Sequence, residues 1–378
     1  MMHHNLLFIK VLGTCLLLFG VLPAAGQTAA APYDYSRARS IVTDRDSIVT
    51  PNGVQQTFQA TVGGLSQWVY VRGQEKQNPI ILFVHGGPAS PMAPVAWMWQ
   101  KPLEEYFTMV HYDQRGAGKT YATTDTTGLG KTITTAQYVA DAIEMAQLVC
   151  RRYGKQKVIL MGHSWGTIVG LQAARKRPDL FYAYVGIGQI INWRDNEQAS
   201  FDFGLAQATK HKNEEAMREL RSIAPYPGSQ PITRERIIIA RKWPQYYGGL
   251  SAYRNTSTYF FRAPQLSPLY TPADVAAIDQ GSLYTLGRLL PELLTVDFKP
   301  VKSFPIPVFM LMGRHDYTTP NEPTVKWLQA LQAPLKKGVW FEHSSHLLPL
   351  EEPGKLLLTL VQEVRPLTVP PSAPKPRR

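Results

Sequence analysis

The segment Gly162-His163-Ser164-Trp165-Gly166 constrains the fold of this chain more than any other. An apolar, β-branched run, Lys157-Val158-Ile159-Leu160-Met161, leads into it, and a helix-forming run from Thr167 through Lys176 leads out. A G-x-S-x-G pattern between strand and helix is a nucleophile elbow, a sharp turn that holds its serine in strained backbone and lifts the hydroxyl clear of a sheet edge. The turn leaves room only for small residues on both sides of the serine. The five-residue pattern alone recurs by chance; the strand before it and the helix after it make it specific. A serine hydroxyl is a poor nucleophile until a neighbouring base takes its proton. The rest of the chain must deliver that base.

The surrounding pattern supplies a frame. Val54 to Ala60 and Trp68 to Arg72 predict two antiparallel strands around a Gly63-Gly64 turn. Pro79 to Val84 is a continuous apolar run, as in a strand buried on both faces, and it ends in His85-Gly86-Gly87-Pro88. Thr108 to Tyr112 predicts a short strand that ends in Asp113-Gln114-Arg115-Gly116. In Thr135 to Tyr153, Val139, Ile143, Ala146 and Val149 fall on one helical face. Phe181 to Ile187, Pro307 to Met312 and Gly338 to Phe341 predict further strands, Trp327 to Leu331 a helix and Lys355 to Val364 a closing helix. Strands alternating with helices define the α/β class, a mostly parallel central sheet with helices on both faces. Residues 192–301 break the alternation with helical stretches, prolines and aromatics, and predict a helical cap inserted between core segments 27–191 and 302–365. Residues 27 to about 55 predict an extended lead-in, and 366–378 a disordered basic tail.

The chain has 378 residues, 44% of them hydrophobic, enough to bury a large core without staples. Residues 1–26 predict a signal peptide: Lys10, the apolar run Val11 to Leu22, then Pro23-Ala24-Ala25-Gly26 at a cleavage site. The expected location is periplasmic or secreted. Cys15 lies inside that run, which leaves Cys150 as the lone thiol of the mature chain, without a disulfide partner. The net charge of +12 falls to +11 when Lys10 leaves with the leader. The charge is dispersed, and no nucleic-acid motif accompanies it, so neither a nucleic-acid partner nor a stable membrane partner is expected.

An elbow serine of this kind is followed along the chain by an acid and then a histidine. Asp316 follows a strand after the cap, within Gly313-Arg314-His315-Asp316; Asp297 is the alternative. His343 and His346 both follow the last strand and qualify by position. His163, inside the elbow, cannot reach its neighbour's hydroxyl as a base. Two fixed N–H donors must meet the oxyanion of acyl transfer. Trp165, after the nucleophile, and Gly87, in the loop after Val84, are the candidates.

Together, His85-Gly86-Gly87-Pro88, Asp113-Gln114-Arg115-Gly116-Ala117-Gly118, the elbow, Gly313-Arg314-His315-Asp316 and Ser345-His346 resemble the proline iminopeptidase group of α/β-hydrolases. The resemblance covers roughly residues 53 to 190 and 300 to 365. It places the histidine ahead of a Glu-Pro, which favours His346, before Glu351-Glu352-Pro353. It implies a serine hydrolase that removes an N-terminal residue, often proline, from peptides, with no metal or cofactor, as a monomer or oligomer. The chain departs from the pattern at Ala89-Ser90 after the oxyanion loop and at Lys119-Thr120 after the third motif. A free α-amine is a cation and requires a buried negative partner. Glu197 is the candidate, whereas Glu214, Glu215 and Glu219 follow a solvated helical spacing. Asp113 and Arg115 are expected to brace the active-site loops through an ion pair or backbone bonds. An esterase, lactonase or amide hydrolase acting on a small acyl substrate would use the same triad. A binding protein on an inactive fold is disfavoured by the intact order Ser, Asp, His, and Ser164 excludes routes that need an elbow aspartate.

Overall fold

The computed structural model describes residues 34–229 and 232–369. The leader, most of the basic tail and the start of the lead-in lie outside the described residues. Eight strands form one sheet in the order β1-β2-β4-β3-β5-β6-β7-β8. They are β1 (Val54–Val62), β2 (Leu65–Gly73), β3 (Ile80–Val84), β4 (Thr108–Tyr112), β5 (Val158–His163), β6 (Phe181–Ile187), β7 (Val308–Gly313) and β8 (Lys336–Phe341). β1 and β2 pair antiparallel, as do β2 and β4, and every other pairing is parallel. Gly63 and Gly64 close the first hairpin with φ of 56° and 73°, the left-handed pair that a two-residue turn matching strand twist requires.

Alternation along the central strands divides the core in two. Ile80, Leu82, Val84, Val158, Leu160, Val308 and Met310 face one layer, with Val139, Ala142, Ala146 and Val149 of the helix Thr135–Tyr153. Ile81, Phe83, Ile159, Met161, Phe309 and Leu311 face the other, with Trp99, Leu356, Leu360 and Val364. Each fully buried Val, Leu or Ile contributes about 1.5–3 kcal/mol, so continuous apolar strands are stable only when both faces are covered. The Thr135–Tyr153 helix begins where the Thr134 side chain accepts the Gln137 N–H at 3.2 Å and stops at Gly154, φ 62°.

The lead-in differs from its expected form. Ser36–Asp46 is a helix, mostly exposed, with only Asp46 buried. Its attachments are polar: Arg39 Nη2 donates to Gln265 O at 2.7 Å, and Arg72 pairs with Asp46 at 3.3 Å. At the other end, Arg365–Thr368 forms a short turn of 3-10 helix.

Between β6 and β7 the chain forms the helices Trp193–Lys210, Glu214–Ser222, Arg234–Pro244 and Pro272–Leu293. The first three share a small core of their own, centred on Phe201, Leu220, Tyr226, Ile237 and Trp243. The fourth packs onto the loop after β4, where Gly281 approaches so closely that a Cβ would lie 2.4 Å from Gly116 O. An antiparallel bridge joins Asn192 to Asp297, flanked by Trp193 N–H to Val296 O at 3.1 Å and Phe298 N–H to Ile191 O at 2.7 Å.

Candidate active site

Ser164 sits between β5 and the helix Gly166–Lys176 with φ 54°. A non-glycine residue in this left-handed region is strained by about 1–2 kcal/mol. The surrounding bonds hold it there: Ser164 N–H donates to Ile187 O at 2.9 Å, and Ser164 O accepts from Thr167 N–H at 2.8 Å and Thr167 Oγ1 at 2.6 Å. The flanking glycines have a steric cause. A Cβ on Gly166 would lie 2.1 Å from Val84 O, and one on Gly162 would lie 2.8 Å from Gly166 O.

The loops after β7 and β8 bring Asp316 and His346 together. Asp316 Oδ2 lies 2.9 Å from His346 Nδ1, and both side chains are buried. Asp316 is itself fixed: Oδ1 accepts the Thr318 and Thr319 N–H groups at 2.9 and 2.8 Å, and Oδ2 accepts Thr319 Oγ1 at 2.8 Å. An Nδ1–H tautomer on His346, set by the carboxylate, leaves Nε2 as a proton acceptor. Ser164 and His346 line one cleft of about 330 Å³, counting its open mouth, with Gly86, Gly87 and His163. Ser90, Met92, Leu250, Phe260 and Leu347 complete its wall. Ser164 Oγ makes no hydrogen bond among the described residues; catalytic contacts of this type commonly tighten only when substrate is bound.

Gly87, φ 114°, and Trp165, at the start of the elbow helix, carry N–H groups that find no protein acceptor among the described residues. Such groups near a nucleophile are suited to a developing oxyanion. Gly86 lets this loop approach the nucleophile, since a Cβ there would lie 2.8 Å from Ser164 Cβ.

The other expected residues take different places. Asp297 is exposed, accepts Lys299 N–H at 2.9 Å and lies at the bridge to Asn192. His343 is exposed; its Nδ1 lies 3.5 Å from Tyr253 Oη. Glu197 is buried, but it is not among the cleft-lining residues. Arg241 pairs with its Oε1, and Tyr226 Oη donates to its Oε2 at 2.6 Å, so its charge is already balanced. Asp113 and Arg115 do brace loops, though not through each other. Arg115 binds Asp141 at 2.7 Å, whereas Asp113 accepts the Tyr70 and Tyr270 hydroxyls and the Lys119 N–H. Burial raises Asp113 to about 7, despite those donors.

Three further residues support the site: His163, which the sequence excludes as the base, and Thr319 and Gly188, which it does not single out. His163 Nε2 lies 3.0 Å from His346 O, and its ring packs 4.8 Å from that of His346. Burial, with a smaller effect of His346, lowers it to about 3, so it is a neutral imidazole that donates to that carbonyl. Thr319 orients the Asp316–His346 pair. Gly188, φ 59°, leaves room for it: a Cβ would lie 2.9 Å from His346 Cε1. A glycine just past β6 was the available signal.

Residues 81–358 match the alpha/beta hydrolase family, and the chain belongs to it. The chain is similar to a probable aminopeptidase, YbaC, of Bacillus subtilis (strain 168), 31% identical over 310 residues, 81% of this chain and 95% of that one. It is also similar to a probable proline iminopeptidase of Streptomyces coelicolor, 24% identical over 166 residues, 44% of this chain and 49% of the other. A solved proline iminopeptidase-related protein from Thermus thermophilus shares the fold at TM-score 0.56 and 19% identity, covering 83% of this chain and 99% of its own. The resemblance to the proline iminopeptidase type of α/β-hydrolase therefore holds, and the protein is a hydrolase.

Proposed function

We propose that the protein is a serine hydrolase of the aminopeptidase type, which cleaves N-terminal residues, proline among them, from peptides. The observation that carries this is the Asp316–His346 pair opening onto the same cleft as a strained elbow serine. The names of its relatives support the peptide substrate. In the first stage Ser164 Oγ attacks the carbonyl carbon while His346 Nε2 takes its proton. The carbonyl oxygen becomes an oxyanion facing the Gly87 and Trp165 N–H groups. The intermediate collapses, the C–N bond breaks, and the amine leaves with the proton from His346. Water then attacks the acyl-enzyme with His346 again as base, releasing the acid and free Ser164. Asp316 stabilises the imidazolium at each stage.

A second reading has an observation of its own. Among the described residues no carboxylate lines the cleft, and Met92, Leu250, Phe260 and Leu347 make its wall largely apolar. That wall suits an uncharged acyl group better than a free ammonium, and favours an esterase, lactonase or amide hydrolase. Rates on proline β-naphthylamide, its N-acetylated form and p-nitrophenyl acetate separate the two. The aminopeptidase reading requires the free amine; equal cleavage of the blocked substrate rejects it and leaves the second. Export through the 1–26 leader belongs to the same proposal. N-terminal sequencing of protein from the cell envelope tests it, and a mature chain that still begins at Met1 would reject cleavage.

A further inference from the structure

The residues after the Arg234–Pro244 helix run as a short strap across both loops that carry the proposed acid and base. Gly249 O accepts the Tyr317 and Thr318 N–H groups at 3.1 and 2.9 Å, and Thr318 Oγ1 at 2.9 Å, all from the Asp316 loop. Leu250 O accepts the Leu347 N–H at 3.2 Å, next to His346, and the Leu250 side chain lines the cleft. The Ala252 N–H donates to Glu351 Oε1 at 2.6 Å, and the other oxygen of that carboxylate accepts the Ser345 N–H at 2.6 Å. The strap is bounded by left-handed backbone at Gly248, φ 89°, and Tyr253, φ 59°. Strain at a non-glycine residue such as Tyr253 persists only where surrounding contacts hold it.

Glu351 thus ties the strap to the His346 loop at a second point, beyond the direct Leu347 N–H to Leu250 O bond. It is not itself one of the residues that line the cleft. We propose that Glu351 is a positioning residue: its carboxylate fastens the 249–253 strap to the His346 loop, so that the imidazole meets Ser164 in register only while the strap is seated. The inference rests on the serine-hydrolase reading above. Two N–H groups converging on the two oxygens of one carboxylate need an acceptor at both ends. A glutamine offers one acceptor and turns an amide donor toward the second N–H. An aspartate keeps the charge but is one methylene too short to span both.

The test uses the full chain with Glu351→Gln and Glu351→Asp. Three quantities are measured: Ser164 labelling by a fluorophosphonate probe, kcat and KM on p-nitrophenyl acetate, and the thermal midpoint. Both variants are expected to lose kcat and labelling rate on the order of 10- to 100-fold, as for a small displacement of a catalytic group. KM is expected within about twofold of the parent, as for an interaction felt in the transition state rather than in binding. A purely structural role would instead lower the midpoint and restore the parent rate at lower temperature. That result, or unchanged kcat in either folded variant, overturns the proposal. Absence of Ser164 labelling in the parent would overturn the serine-hydrolase reading itself, and the coupling with it.

Discussion

Lowering the pH from 7 to 5 should destabilise this protein through three buried neutral histidines, and substitution of one of them isolates its share. Burial lowers His85 to about 4, and His111 and His163 each to about 3, from an ordinary value of 6.5. A base held below its unfolded value contributes stability that is present above pH 6.5 and is lost as pH falls toward the folded value, because only the unfolded chain takes the proton. Between pH 7 and pH 5 the loss is about 2 kcal/mol for each such histidine, or roughly 6 kcal/mol for the three. Asp113 acts in the opposite sense. Its folded value of about 7 lies above the ordinary 3.8, so acidification favours the folded state and offsets about 2 kcal/mol over the same interval. The balance of these four groups, a loss of about 4 kcal/mol, is a large share of the 5–15 kcal/mol typical of a folded domain. The raised carboxyls of Asp46, Asp279 and Glu351 act in the same sense as Asp113. His111 is the cleanest site to perturb. It lies in β4 between the Phe83 and Trp99 rings, with Nε2 2.6 Å from Gln100 Oε1. His111→Gln can present an amide N–H to the same oxygen and does not titrate. Urea unfolding at pH 7 and pH 5 should show the variant losing about 2 kcal/mol less than the parent across the interval. A variant with the parent's full pH dependence would refute the assignment of a neutral buried imidazole.

The remaining predictions concern the site and its supports. Ser164→Ala should lower turnover by at least about a thousandfold, measured on whichever substrate the parent cleaves; retained turnover removes Ser164 as nucleophile. Gly166→Ala places a Cβ against the Val84 and His85 carbonyls and should destabilise by about 3 kcal/mol; a denaturation midpoint equal to the parent's would contradict the packing described. Arg241→Ala leaves the Glu197 carboxylate buried without its cation and should cost about 3–5 kcal/mol. Adding Glu197→Gln should restore part of that loss, and a double variant no more stable than the single one counts against the pairing.

What could be read from the sequence depended on how local each cause was. β3, β5, β6 and β7 are continuous apolar runs because both faces of each strand are covered, and that signal lies within the strand itself. The elbow was legible because its strand, turn and helix are contiguous in sequence, although the carbonyls that crowd Gly166 belong to the distant Val84 and His85. The Glu-Pro after His346 also had a local cause, since Glu351 and Glu352 fold back to accept N–H groups of residues 343 and 345. The helix Ser36–Asp46 was missed because it buries almost nothing and so has no apolar period. Its anchors, Gln265 and Arg72, are distant in sequence. Glu197 has the same difficulty in sharper form. Its balancing cation is Arg241, its second donor is Tyr226, and no spacing rule connects the three. The partner of Arg115 was likewise Asp141, one helix further on, not the adjacent Asp113.

The bridge between Asn192 and Asp297 gives the architecture a doorway. The chain leaves the sheet layer and returns to it through one pair of hydrogen-bonded neighbours. From the floor of the molecule, the excursion beyond that threshold is a closed loop. Ends that meet in this way are what make an inserted unit tolerable to the body that hosts it. A different roof joined at residues 192 and 297 would have to replace Leu289 and Leu293, which fill the apolar layer shared with β3, β5 and β7, as well as the contacts by which the present roof steadies the rim below.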